Sequence, residues 1–214
     1  MAITLEKGQG LSLEKSQYDL SSVTIGMGWD IAEQKKGFLG GLFSAKSAEY
    51  DLDVVAFLCD AQGKVKNLGW DERGQVTLMN SDIVFYNNLA HPSGQIWLTG
   101  DNRDGAGDGD DEQIIVKLNT LPNEYHRILF FVQIYNGRQN KQHFGQVKNA
   151  FIRAVDATGK EILRFNLSGI GTYDQQRSML FGELVREGGS WKFNAICTPS
   201  ESDNFVEWLK DYVA

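Results

Sequence analysis

The segment Gly100-Asp-Asn-Arg-Asp-Gly-Ala-Gly-Asp-Gly-Asp-Asp-Glu112 gathers oxygen donors more densely than any other stretch of the chain. Asp101, Asp104, Asp108, Asp110, Asp111 and Glu112 are opposed there by Arg103 alone, so this one loop carries −5 of a formal net charge of −7. Carboxylates a few ångströms apart repel each other, and the repulsion favours protonation. A divalent cation removes that cost. Calcium accepts about six to eight oxygens at roughly 2.3–2.6 Å from carboxylates, amides and backbone carbonyls. Asp, Asn and Gly in alternation supply all three, with Gly105, Gly107 and Gly109 letting the backbone fold back on an ion.

A second set of oxygen donors lies elsewhere. In Tyr50-Asp-Leu-Asp-Val-Val-Ala-Phe-Leu-Cys59, Asp51 and Asp53 share a strand face with Val55, Phe57 and Cys59, while Leu52, Val54, Ala56 and Leu58 make the opposite face wholly apolar. Such a strand is central, and two carboxylates at its end need a partner. Asn87 and Asn88 close the run from Asp82 with amide oxygens that calcium also accepts, and Asp30 closes Gly28-Trp-Asp30. The bland alternative for Asp101–Glu112 is a solvated acidic turn, and the separate Asp51/Asp53 pair weighs against it.

The loop is not an EF-hand. Asp101 and Glu112 could stand at its first and twelfth positions, but Arg103 takes the third, Ala106 replaces the obligatory glycine, and the flanks read as strands. Other chemistry has weaker support. His91, His126 and His143 are scattered, and none pairs with a serine or cysteine in a recognisable motif; His91, before Pro92, reads as a turn residue. Gly8-Gln-Gly10 is not followed by a helix and does not make a phosphate loop. Cys59 and Cys197 lie in apolar runs, read as buried thiols, and do not make a zinc site. Strand parity turns Glu183 and Arg153 inward, and the simplest reading is a mutual buried ion pair, with metal or ligand binding as the alternative.

The elements that must position these residues are strands. Ala2–Glu6, Ser22–Trp29, Tyr50–Cys59, Asp82–Asn87, Gln95–Thr99, Glu112–Leu118, Arg127–Tyr135, Gly145–Val155, Glu161–Leu167, Met179–Arg186 and Trp191–Cys197 are β-like runs separated by turns rich in Gly, Asn, Asp and Ser. This spacing predicts an all-β protein, a two-sheet sandwich or barrel. After Ser202, Phe205, Trp208, Leu209 and Tyr212 fall at i, i+3, i+4 and i+7, predicting one C-terminal amphipathic helix that covers the end or edge of a sheet. In Glu33–Glu49, Gly40 and Gly41 argue against a helix, and Phe38, Leu39, Leu42 and Phe43 flanked by lysines suit either a loop on the core or a docking contact. An acidic chain of this kind is a poor nucleic-acid binder. The start, Met1–Gly10, lacks the pattern of a signal peptide, and the apolar runs Val54–Cys59 and Ile128–Val132 are too short to cross a bilayer, so the expected location is cytoplasmic.

These residues carry a resemblance. The chain resembles the tellurium-resistance TerD family over nearly its whole length, in Gly26-Met-Gly-Trp-Asp30, Asp51-Leu-Asp53, Val84-Phe-Tyr-Asn-Asn88, Thr99-Gly-Asp-Asn-Arg103, Gly107-Asp-Gly-Asp-Asp-Glu112, Phe144-Gly-Gln-Val147, Asn149-Ala-Phe-Ile-Arg153, Phe181-Gly-Glu-Leu184 and Trp191-Lys-Phe193. The resemblance implies a single calcium-binding β-sandwich domain over residues 1–214 with two neighbouring Ca2+ ions. It also implies a cytoplasmic role in tellurite, phage and chemical stress, membrane-linked Ter-family protein partners, and no enzymatic activity. The implied ligands are Asp51, Asp53, Asn87, Asn88, Asp101, Asn102, Asp108, Asp110, Asp111 and Glu112. Asp104 departs from the family's usual threonine, Glu33–Glu49 is longer than its typical loop, and Tyr135-Asn-Gly137 replaces the more usual His-Asp-Ala. Two other functions stay open on the sequence: a calcium-dependent membrane or protein docking domain using Phe38–Phe43, and a metal-dependent hydrolase.

Overall fold

Alternation of apolar and polar residues along most strands sets which face turns inward, and the twelve strands among the described residues enclose a main core between two sheets. A computed structural model describes residues 3–31, 50–99, 109–166, 173 and 175–213. The first six strands are β1 (Ile3–Thr4), β2 (Gly10–Leu13), β3 (Val23–Ile31), β4 (Leu52–Cys59), β5 (Ile83–Val84) and β6 (Ile96–Leu98). The others are β7 (Glu112–Val116), β8 (Arg127–Ile134), β9 (Val147–Val155), β10 (Glu161–Asn166), β11 (Ser178–Glu187) and β12 (Ser190–Ser200), followed by a short helix α1 (Phe205–Leu209). One sheet has the order β1-β10-β9-β3-β7-β6 and the other β2-β12-β11-β8-β4-β5. Only β1 and β10 pair in parallel among the described strands. The chain is therefore the expected all-β, two-sheet sandwich.

Between the sheets lies the main core, with Ile25 and Met27 from β3, Ile114 and Val116 from β7, Ile152 and Ala154 from β9, and Phe130 and Val132 from β8. The strand β4 is buried throughout, as its sequence predicts. Leu52, Val54, Ala56 and Leu58 enter the main core, while Val55, Phe57 and Cys59 join a second cluster on the opposite face. Phe131, Leu129 and Leu180 extend that second cluster, and Phe205 and Leu209 of α1 close it. The helix thus covers a sheet face, where the sequence suggested an end or edge. It is also shorter than the periodicity suggests and is capped by Asn204, whose Oδ1 accepts from the Val206 N–H at 3.0 Å.

One strand escapes the pattern of the sequence, and one expectation fails through backbone irregularity. The edge strand β2 has no counterpart among the sequence-predicted strands, because four residues opening on glycine give little alternation. The Arg153–Glu183 pair does not form, since the two residues lie in different sheets and both face away from the core between them. On β9 the pairing with β3 slips between Gly28 and Asp30, and Asn149 sits at φ 50°. Val147 therefore faces the core while Arg153 faces outward. On β11 a slip between Leu180 and Gly182 has the same effect, placing Met179, Phe181 and Leu184 in the core and turning Glu183 out. A single extra residue reverses parity for everything beyond it. Glu183 pairs with Arg127 Nε at 3.1 Å and accepts from Asn194 Nδ2 at 3.0 Å.

Candidate metal centre

Three consecutive carboxylates enter β7, and the strand sends them in three directions. Gly109, at φ 111°, brings the chain onto β3, and the Asp111 N–H donates to the Met27 carbonyl at 2.7 Å. Asp111 then ends the ladder with its own side chain, as Oδ2 accepts from the Trp29 N–H at 2.9 Å. Asp110 points to the outer face. Its carboxylate takes a forked contact from Arg153, with Nε to Oδ1 at 2.7 Å and Nη2 to Oδ2 at 3.2 Å, and Gln113 Nε2 adds a bond at 3.2 Å.

Glu112 points inward, only 1% exposed, and reaches across the sandwich. Its Oε2 accepts from the Val54 N–H of β4 at 2.7 Å. That N–H lies on the side of β4 that pairs with β5, and β5 matches only Ala56 and Phe57, so the ladder gives Val54 no strand partner there. A buried amide needs an acceptor, and the Glu112 carboxylate supplies it. The peptide so capped is the one joining Asp53 to Val54. Glu112 thereby ties the acidic stretch to the β4 backbone beside Asp53, although the two are distant in sequence.

Asp53 is buried, and its Oδ2 accepts from Gln133 Nε2 at 3.0 Å. The same amide's Oε1 accepts from the Phe205 N–H at 2.8 Å, linking Asp53 to the start of α1. Tyr86 registers both acids. Burial first, then the nearby charge of Asp53, the Tyr135 phenol and Asp51, holds its phenol above the usual pKa. The sequence argued that Asp51 and Asp53 need a partner, and part of what Asp53 receives is a neutral amide.

The two asparagines part company. Asn87 is exposed beside Tyr86. Asn88 is buried and ties its own loop, with Nδ2 donating to the Ile83 carbonyl at 2.6 Å and Oδ1 accepting from the Asn80 N–H at 3.1 Å. Asp101, Asn102 and Asp108 lie outside the described residues, as do Asp104 and the Phe38–Phe43 loop.

Every donor in this set is an oxygen, which fits a hard cation such as calcium in kind. Among the described residues no three His, Cys, Asp or Glu side chains converge as a ready metal-binding group.

The glycines of Gly26-Met-Gly28 explain how the loop comes so close. A Cβ on Gly26 would stand 2.1 Å from Asp110 Oδ2, and one on Gly28 would stand 2.4 Å from the Gly109 carbonyl. The sequence singled out both glycines and Arg153 without linking them to the acidic loop. Their shared strand register, Gly26 opposite Arg153 and next to Gln113, is what brings them together.

Another polar group is structural. Asp82 Oδ1 accepts from Tyr125 Oη at 2.9 Å and lies 3.1 Å from His91 Nε2, while His91 Nδ1 lies 2.7 Å from Ser93 Oγ. The series has the composition of a hydrolytic triad. Yet the Ser93 N–H also donates to His91 Nδ1, and Ser93 Oγ accepts from the Gln95 N–H, so the hydroxyl closes a turn. This agrees with the reading of His91 as a turn residue. A polar cleft of about 360 Å³ lies between Lys15–Leu20 and Asp156–Lys160, and none of the predicted ligands lines it.

The TerD domain family model matches residues 1–212. The chain is 63% identical to tellurium resistance protein TerX of Serratia marcescens over 213 residues, covering 100% of both chains. It is 39% identical to TerD of Serratia marcescens and 36% identical to general stress protein 16U of Bacillus subtilis, in each case covering 92% of this chain and 90% of the relative. A solved homologue of telluride resistance protein TerD from Streptomyces coelicolor A3(2) shares the fold at a TM-score of 0.61 and 18% identity, covering 87% of this chain and 94% of that one. This chain belongs to the TerD domain family.

Proposed function

We propose that the protein is a calcium-binding module of the tellurite and chemical stress response, in which calcium orders the acidic loop at one end of the sandwich. The observation that carries this reading is the reach of Glu112 to the Val54 N–H, which ties a β7 carboxylate to the β4 backbone next to Asp53. Asp51, Asp53, Asn87, Asp111 and Glu112 would hold the ion or ions together with Asp101, Asn102 and Asp108. Calcium supplies positive charge that offsets carboxylate repulsion and crosslinks the loop to both sheets. The chain's own part is to orient the carboxylates. Trp29 N–H, Gln133 and Val54 N–H each fix one carboxylate oxygen of Asp111, Asp53 and Glu112, which sets the plane of each group before any ion arrives.

The stress role rests on family membership and on the names of the relatives. We place the protein in the cytoplasm, beside Ter-family partners at the membrane and without catalysis of its own. Among the described residues no helix is long and apolar enough to cross a bilayer.

Isothermal titration of chelator-stripped protein tests the calcium claim. Micromolar to millimolar calcium gives saturable heat in the wild type, and Glu112→Gln, which keeps an acceptor for Val54 but loses the charge, weakens affinity by at least about tenfold. No heat in the wild type sinks the reading.

A further inference from the structure

We infer that Arg153 is the acidic loop's built-in counter-ion, holding Asp110 out of the calcium ligand set and pinning the end of the loop to the outer face of β3. The inference rests on the calcium reading for its effect on affinity, whereas the pinning itself does not. Asp110 is the most hidden ion-pair carboxylate among the described residues, its side chain 1% exposed. Arg153 grips both of its oxygens in the planar fork that suits a carboxylate, and Gln113 takes a further position. The side chain lies on the bare backbone of Gly26, where even a methyl group would collide with it.

Arg153 is itself held. Its Nη1 meets Glu161 Oε2 at 3.2 Å, the same oxygen lies 3.6 Å from Arg164 Nη1, and the Arg164 guanidinium stacks 3.6 Å from the Phe151 ring centroid. Alternating charges thus run across the face from Asp110 through Arg153 and Glu161 to Arg164. Hydrogen bonding to Asp110 raises the Arg153 pKa further, so this cation is permanent. Withdrawing Asp110 would leave the Arg153 guanidinium with Glu161 as its one remaining acid and expose its Nε and Nη2 without their carboxylate, and a charge pair with one fully hidden partner resists being split. Asp110 therefore acts as a positioning residue, while Asp111 and Glu112 face the ion.

A mutant cycle on the full chain tests this with two readouts. In chelator, D110N and R153Q each lower the melting temperature, the D110N/R153Q pair lowers it by clearly less than the two effects added, and R153K recovers only part because it lacks the fork. Strictly additive effects would overturn the pinning. In calcium titrations, D110N leaves Arg153 with only half of its carboxylate partners, adding net positive charge, and weakens affinity on the order of tenfold, while D110N/R153Q returns to within about threefold of wild type. Equal loss of calcium binding in D110N and in the double variant would show Asp110 to be a ligand and overturn the inference. Absence of calcium heat in the wild type overturns the affinity effect together with the calcium reading, and the melting cycle still decides the pinning.

Discussion

Asp110, Asp111 and Glu112 are chemically near-identical neighbours, and only strand geometry distinguishes them. One faces Arg153, one finishes a sheet ladder, and one crosses to the other sheet. Treated as a charge run the three are interchangeable. Their different partners give them different expected phenotypes. Gly26→Ala places a methyl group against Asp110 Oδ2, and we expect a loss of about 1–3 kcal/mol of stability, read as a lowered urea midpoint in chelator. The thiols carry a second residue-scale prediction. Burial pushes Cys59 up to about 12 and Cys197 up to about 11, and both are free and buried. Native protein should react with a thiol reagent far more slowly than urea-unfolded protein, and rapid native labelling would contradict the burial of both.

At the scale of elements, the C-terminal helix shows what a short amphipathic pattern can and cannot say. The four apolar positions identified an element that buries one side, and Phe205 and Leu209 are indeed buried. The target they cover, Phe57 of β4, Phe131 of β8 and Phe85 just after β5, is far away in sequence, so a sheet face could not be told from an edge. Phe205→Ala should cost about 3–5 kcal/mol, measured by denaturant unfolding, because Phe205 is 3% exposed and packs on aromatic rings. Most strands were legible for the same reason that β4 was: strict alternation between two apolar partners. The bulges at Asn149 and in β11 were not. Nothing in Asn149-Ala-Phe-Ile-Arg153 announces an extra residue, and the inward placement of Arg153 and Glu183 failed there. The acidic site was legible as composition, and as the separate pair Asp51/Asp53. The Glu112–Val54 bond was not, because it depends on β5 being too short to cover its neighbour.

Across the whole molecule, two polar assemblies hold loops to the sandwich, and they should respond differently to solution conditions. Asp82 ties His91, Tyr125 and the Asn67 backbone together. Burial alone would raise its pKa, but hydrogen bonds from His91, the Asn67 N–H and Tyr125 outweigh burial and leave it lowered. A carboxyl whose folded pKa is depressed stabilises the fold above its unfolded value of about 3.9, and that contribution disappears as pH falls through the folded pKa. The wild type should therefore lose stability as acid is added below about pH 4, and Asp82→Asn should show a shallower loss over that range in melting experiments. The acidic end should respond to metal instead. Saturating calcium at about a hundred times its dissociation constant would add about 2.7 kcal/mol to the stability of this fold. A crystal structure of calcium-soaked protein tests the central claim most directly. We predict an ion at the β4–β7 end with six to eight oxygen ligands that include carboxylates of Glu112 and Asp53, while Asp110 remains on Arg153. Calcium-soaked crystals with no ion at that end of the sandwich would contradict the account.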